Sequence, residues 1–236
     1  MAILSKVLAK VAAPLAGAAA KSATPRYASG LIRSALDKAI DGIGPLPGAI
    51  RSAEKEYVEN GGNREKAIKS LISGHVKLAG AQGFVTNLGG LMTAFAAIPA
   101  NIAGLALVLC HMIAGIAHLR GYDLSENRVR NAVLACLVGE EGLKALIKDG
   151  KLLDGPRGLA SAPYEDPETD AMIARIVATE LIAQVGGKRL VSMAGRRIPL
   201  LGGAFGATAD GFRAWQIGRF AANALPPRHI PPTPVR

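Results

Sequence analysis

Large rings are scarce in this chain. Aromatic residues fill 4% of its 236 positions, although half of all residues are apolar. The apolar mass is therefore Ala, Leu, Ile, Val and Gly. That bias suits thin helices whose backbones approach closely, and it offers no platform on which bases would stack. Cysteine is nearly absent. Cys110 and Cys136 both stand in apolar helical contexts, so two buried free thiols are expected rather than a disulfide, in keeping with a reducing compartment. Strand-type alternation is missing. So are a Gly-x-Ser-x-Gly elbow, a His-Glu-x-x-His pair, a zinc finger and an aromatic RNA-binding pattern. No cofactor, no metal and no nucleic-acid partner is expected.

Acid is missing from both ends. Residues 1–36 hold five basic residues (Lys6, Lys10, Lys21, Arg26, Arg33) and no acid, and residues 187–236 hold eight basics against Asp210 alone. The middle carries 15 basics and 17 acids within a net charge of +10. Basic ends around a near-neutral middle suit an anionic surface, and the abundant apolar residues favour lipid over nucleic acid. Ile3, Leu4, Val7, Leu8, Val11 and Leu15 share one helical face with Lys6 and Lys10 off it. Residues 1–24 therefore read as an amphipathic basic helix that lies on a membrane or packs as an ordinary first helix. Lys10 interrupts the apolar core that a secretory signal would need, so a cleaved signal is second in rank.

Helical periodicity recurs at 27–43, 50–60, 63–80, 86–119, 125–148, 168–185 and 204–224, about seven or eight helices in all. Breaks fall at Gly44-Pro45-Leu46-Pro47-Gly48 and Asn60-Gly61-Gly62-Asn63. A loop is expected over 149–167, and residues 226–236, with five prolines, form a flexible tail. The domain proper is then 25–225. Between Lys77 and Arg120 lie 42 positions without a formal charge. At about 1.5 Å per residue, Leu88 to Leu119 is long enough for a bilayer core of about 30 Å. Pro99 divides this run, so a kinked span or a hairpin turning near Pro99 is expected.

Small residues are ordered along two of these helices. Ala96, Ala100 and Gly104 stand four apart, and Gly202, Gly206, Asp210, Ala214, Gly218 and Ala222 continue the same spacing in the last helix. Bare stripes of this kind let a partner backbone come close. The fold class expected is an all-α multi-helix bundle around a glycine-zipper-like pair, with these two helices packed together.

Three blocks carry a likeness to a known family. They are Gly83-Phe84-Val85-Thr86-Asn87-Leu88-Gly89-Gly90 ahead of Pro99, then Arg120-Gly121-Tyr122-Asp123, then Arg196-Arg197-Ile198-Pro199-Leu200-Leu201-Gly202-Gly203 with the ladder through Asp210. Over roughly 50–224 the chain resembles the EcsC family of bacterial proteins. That resemblance implies a helical protein of largely unknown biochemistry, sometimes labelled a hydrolase, and an accessory role in a transport or envelope system.

Candidate chemistry is sparse. His111 and His118 are seven residues apart, too far along one helix to grip one metal easily, so a hydrogen-bonded buried or interfacial histidine is the better reading. Asp123, with Glu126 three residues on, reads as a capping box behind a helix ended by Gly121. Asp210, a carboxylate on a bare face, calls for a cation, and Lys188, Arg196 and Arg197 are the natural partners. Lys188, Arg189, Arg196 and Arg197 also make an anionic-headgroup site, to which Lys6 and Lys10 add at the other end.

The function expected is therefore non-enzymatic. The protein would associate with the cytoplasmic face of a membrane, peripherally or partly inserted, and bind anionic lipid. A protein partner or a second copy is compatible with this. The alternatives are a soluble helical hydrolase with His75 or His111 beside a carboxylate, and a soluble interaction module with the apolar run buried.

Overall fold

The structure is a computed structural model that describes the backbone of residues 25–44, 46–88, 94–163, 167–193 and 199–228, and the side chains of 29–44, 46–80, 104–163, 167–181 and 210–228. Its elements run α1 (Pro25–Asp41), β1 (Gly42–Ile43), β2 (Leu46–Pro47), α2 (Ala49–Glu59), α3 (Arg64–Leu88), α4 (Ala94–Leu119), α5 (Asn127–Cys136), α6 (Gly139–Lys148), α7 (Pro156–Ala160), α8 (Pro167–Met193) and α9 (Pro199–Ala224). The all-α class holds. The only strands among the described residues are two-residue pieces paired antiparallel, Gly42 with Pro47 and Ile43 with Leu46. Gly42 has a φ of +92°, a conformation that side chains with a Cβ rarely adopt, and it closes this hairpin against the Leu46 carbonyl and the Gly48 amide.

α4 is the axis of the bundle, with α1, α2, α3, α5 and α9 packed around it. From Ala106 to Ala117 every residue is buried. Leu107, Leu109, Met112, Ile113 and Ile116 are among its largest enclosed side chains. Each such side chain contributes about 1.5–3 kcal/mol of burial, so a helix without charge is what this position demands. The chain does not turn at Pro99. α4 begins at Ala94 and passes through it. Among the described residues no helix is long and apolar enough to cross a membrane.

α9 packs chiefly along α3 and secondarily on α4. A Cβ on Gly211 would come within 3.3 Å of the Val76 carbonyl, and one on Gly218 within 2.9 Å of Ile72 and 3.1 Å of Met112. Gly218 thus marks the place where three helices meet. Of the small-residue positions, Gly104, Ala214 and Gly218 are buried and Asp210 is half-buried. Ala96, Ala100, Gly202 and Gly206 fall within α4 and α9, but their surroundings lie outside the described residues.

One end of the bundle is tied by arginines. Arg120 pairs with Glu65 of α3 and donates to the Ala222 carbonyl of α9 at 3.3 Å. The start of α3, the end of α4 and the end of α9 therefore meet there. It follows that the end of α3, the start of α4 and the start of α9 point to the opposite end.

Three details differ from the sequence reading. The helix expected over 125–148 is two, α5 and α6, separated at Gly139, whose φ is +77°. The loop expected over 149–167 contains the short α7. Arg228, inside the expected tail, is fixed: its amide donates to the Arg120 carbonyl at 2.8 Å and its guanidinium lies 4.4 Å over the Tyr122 ring.

Candidate functional site

Three consecutive helices build a polar chain inside the apolar core. His75 sits in α3 and His111 in α4, both buried, and Ser52 sits half-buried in α2. His75 Nδ1 lies 2.7 Å from the Leu71 carbonyl, and its Nε2 lies 2.8 Å from His111 Nδ1. His111 Nε2 in turn lies 3.0 Å from the Pro47 carbonyl in β2 and 3.3 Å from Ser52 Oγ.

The contact to Leu71, the contact between the rings and the contact to Pro47 each need a hydrogen, and two neutral rings carry two between them. With His75 Nδ1–H donating to Leu71, His111 Nδ1–H donates to His75 Nε2 and the Ser52 hydroxyl can donate to His111 Nε2; with His111 Nε2–H donating to Pro47, His75 Nε2–H donates to His111 Nδ1. A third proton on the pair would satisfy all three contacts at once. Burial opposes that step. It pushes His75 down to about 4, with the neighbouring His111 adding to the effect and the Leu71 carbonyl opposing it. His111 is lowered as well, again by burial, with the Pro47 carbonyl opposing.

This pair differs from the hydrolase expectation. Among the described residues neither His75 nor His111 meets a carboxylate; each meets the other ring and a carbonyl. The histidine that does meet one is His118, 3.5 Å from Glu54 at the α2 surface. Among the described residues no cluster of three metal-ligating side chains occurs.

The outer face of α9 forms a second feature. Phe212 is 58% exposed and Trp215 41% exposed, and their rings stack at 5.7 Å. Arg219 covers the Trp215 ring at 5.0 Å. Beside them a groove of about 490 Å³ runs between α9 and the start of α6, walled by Glu140 and Glu141 opposite Trp215 and Arg219. Sequence reasoning missed this face. Its signal was the spacing of Phe212, Trp215 and Arg219 at three and four residues on a helix otherwise read for its small residues.

The other expected site residues separate. Asp123 is exposed and accepts from the Ser125 amide at 2.8 Å and the Ser125 hydroxyl at 2.7 Å, bonds that hold its carboxyl below the usual range. It closes a turn and does not cap α5, whose N-cap is Glu126 without a side-chain cap bond. Glu126 is held by Arg128 at 2.8 Å. Asp210 acts on Arg213, three residues on: burial lowers that guanidinium's pKa, and the charges of Asp210 and of Glu180 in α8 oppose the shift. Lys188 and Arg189 belong to α8, but their side chains lie outside the described residues, as do Lys6, Lys10, Arg196 and Arg197 altogether. Arg120-Gly121-Tyr122-Asp123 is structural throughout: a tie, a helix end, a buried ring and a turn.

The EcsC protein family model matches residues 62–230. The chain belongs to the EcsC protein family. The match takes in both histidines, the Arg120 tie, Trp215 and Arg228, and it begins after Ser52 and the β-hairpin. No curated protein matches the chain, and no solved structure does. Within this EcsC chain the family region is thus the α3–α9 bundle, and the segment before it supplies the carbonyl and hydroxyl that finish the histidine pair.

Proposed function

We propose that this EcsC protein works at the cytoplasmic face of a membrane, without catalysis, by binding anionic lipid with the end of the bundle opposite the Arg120 tie. The observation that carries the reading is a juxtaposition. In the chain, the charge-free stretch after Lys77 takes in the end of α3 and the start of α4, and Lys188, Arg189, Arg196 and Arg197 stand just ahead of α9. Apolar helix ends beside four cations match the chemistry of an anionic headgroup layer. In this reading Ala96, Ala100, Gly104, Gly202, Gly206, Ala214 and Gly218 are close-packing faces of the glycine-zipper kind. Contact is peripheral or partly inserted, as an accessory to a transport or envelope system.

Flotation of the full chain with vesicles of neutral or anionic phospholipid, at low and high salt, tests this. Binding to anionic vesicles that weakens with salt is expected, and charge reversal of Lys188, Arg189, Arg196 and Arg197 together should abolish it. A chain that stays behind with every lipid ends the proposal and leaves the soluble interaction module.

A second reading, the hydrolase, has the Ser52–His111–His75 chain in its favour, because in one of its two proton arrangements His111 Nε2 can accept from the Ser52 hydroxyl, as a general base must. A serine-reactive fluorophosphonate that fails to label Ser52 disposes of it.

A further inference from the structure

Phe212 and Trp215 stand out among the exposed apolar side chains because they are adjacent, stacked and backed by a cation. Ile50, Val58, Ile147, Leu153 and Met172 are exposed as well, but none of them is joined to another ring. Single exposed apolar residues need no explanation, whereas a stacked aromatic pair held in water does. The pair is also fixed in place. Between its members and on either side, Gly211, Ala214, Ile217 and Gly218 are buried, Gly211 and Gly218 against α3 and α4 and Ile217 beside Gly139 of α6. α9 therefore cannot roll its rings inward without exposing that seam.

The chemistry of the face narrows what covers it. Among the described residues exposed along this crest, Arg219 is the one with a formal charge, and its guanidinium lies over the Trp215 ring. A planar, weakly hydrated cation on an aromatic plane is suited to phosphate oxygens, and tryptophan concentrates at the headgroup level of membranes. Acid on the neighbouring wall does not invert this. Glu140 is bonded to Lys144 at 2.8 Å, and the side chain of Glu141, 93% exposed, stands in solvent. Charge over the wider region agrees, with eight basic residues and one acid from 187 to the end.

We propose that the outer face of α9, formed by Phe212, Trp215 and Arg219, lies in the headgroup layer of an anionic membrane. α9 then runs along the surface, with the rings entering between headgroups and Arg219 meeting a lipid phosphate. This rests on the membrane reading above and adds to it a contact surface and an orientation.

Trp215 is the only tryptophan in the chain, so intrinsic fluorescence reports on this face alone. The full chain is titrated with vesicles of phosphatidylglycerol mixed into phosphatidylcholine, and with phosphatidylcholine alone. The expected result is a blue shift of Trp215 with the anionic vesicles and quenching by brominated lipid. Replacing Phe212 and Arg219 with Ala, which leaves the reporter in place, should weaken partitioning about tenfold. If the protein floats with anionic vesicles while Trp215 keeps its aqueous emission and escapes the brominated lipid, this proposal falls and the membrane reading stands. If it does not float, both fall. A blue shift that depends on protein concentration and needs no lipid assigns the face to a second copy of the chain, and overturns the proposal too.

Discussion

α4 and α9 invert what their compositions suggest. α4 holds no formal charge and is the most apolar helix of the chain, yet from Ala106 to Ala117 it is enclosed on all sides. α9 carries Asp210, Arg213 and Arg219, yet it leaves two aromatic rings open to solvent. The difference lies in neighbours. Among the described residues α1, α2, α3, α5, α8 and α9 all touch α4, whereas α9 packs on α3 and α4, touches α5 and α6 more lightly, and leaves the Phe212–Trp215 crest open. Hydropathy ranks how much a segment gains from leaving water. It does not say whether protein or something else provides the cover.

The contrast is broken most directly by truncating the inner helix. Met112→Ala in α4 should cost about 2–5 kcal/mol in urea denaturation, the range for emptying a filled core site. A loss below about 1 kcal/mol would mean that α4 is not enclosed as described.

Acid should have the next largest effect. Burial holds His75 and His111 below their ordinary value, so between about pH 4 and 6.5 the unfolded chain binds more protons than the folded one. The stability that the neutral pair contributes is complete above about pH 6.5 and is lost as pH falls through this window. For His75 alone the loss is about 3 kcal/mol. Denaturation midpoints at about pH 7 and about pH 4.5 measure it. Ser52→Ala removes the hydroxyl that can donate to His111 Nε2 when the pair is neutral, so the apparent pKa of the pair should rise, as read from imidazole NMR shifts.

Gly218→Ala should cost about 1–3 kcal/mol, because the new methyl group meets Ile72 and Met112 at close range. Smallest of all, Phe212→Ala should change stability by less than about 0.5 kcal/mol, since that ring is more than half exposed. A strongly destabilised Phe212→Ala would place the face inside the fold and remove it as a contact surface.

The punctuation of the fold was legible in the sequence. Gly44 to Gly48, Asn60 to Asn63 and Gly121 stop helices where expected, because each supplies a backbone conformation or a fixed ring that a helix cannot continue through. Helix ends were less legible elsewhere. The helices expected over 63–80 and 168–185 run on to Leu88 and Met193, through Gly80, Gly83, Gly186 and Gly187 despite an intrinsic penalty of about 1 kcal/mol for each glycine. The histidine pair was out of reach for another reason. Its members are 36 residues apart on successive helices, and nothing in local spacing says that two such rings face one another. Asp123 was misassigned because an aspartate ahead of a helix has two local uses, a cap and a turn, with the same spacing. The choice fell to the Ser125 hydroxyl.

Cys110 in α4 and Cys136 in α5 are both free and fully enclosed, and burial raises both thiols well above their ordinary pKa. Neither sulfur reacts while the bundle is closed. Their alkylation therefore behaves as a clock that runs only during opening. At low reagent the labelling rate reads the equilibrium between closed and open states, and at high reagent it reads the opening rate itself. The two sulfurs time two neighbouring helices separately, so equal rates would make the core one cooperative unit, and a faster Cys136 would show α5 leaving first.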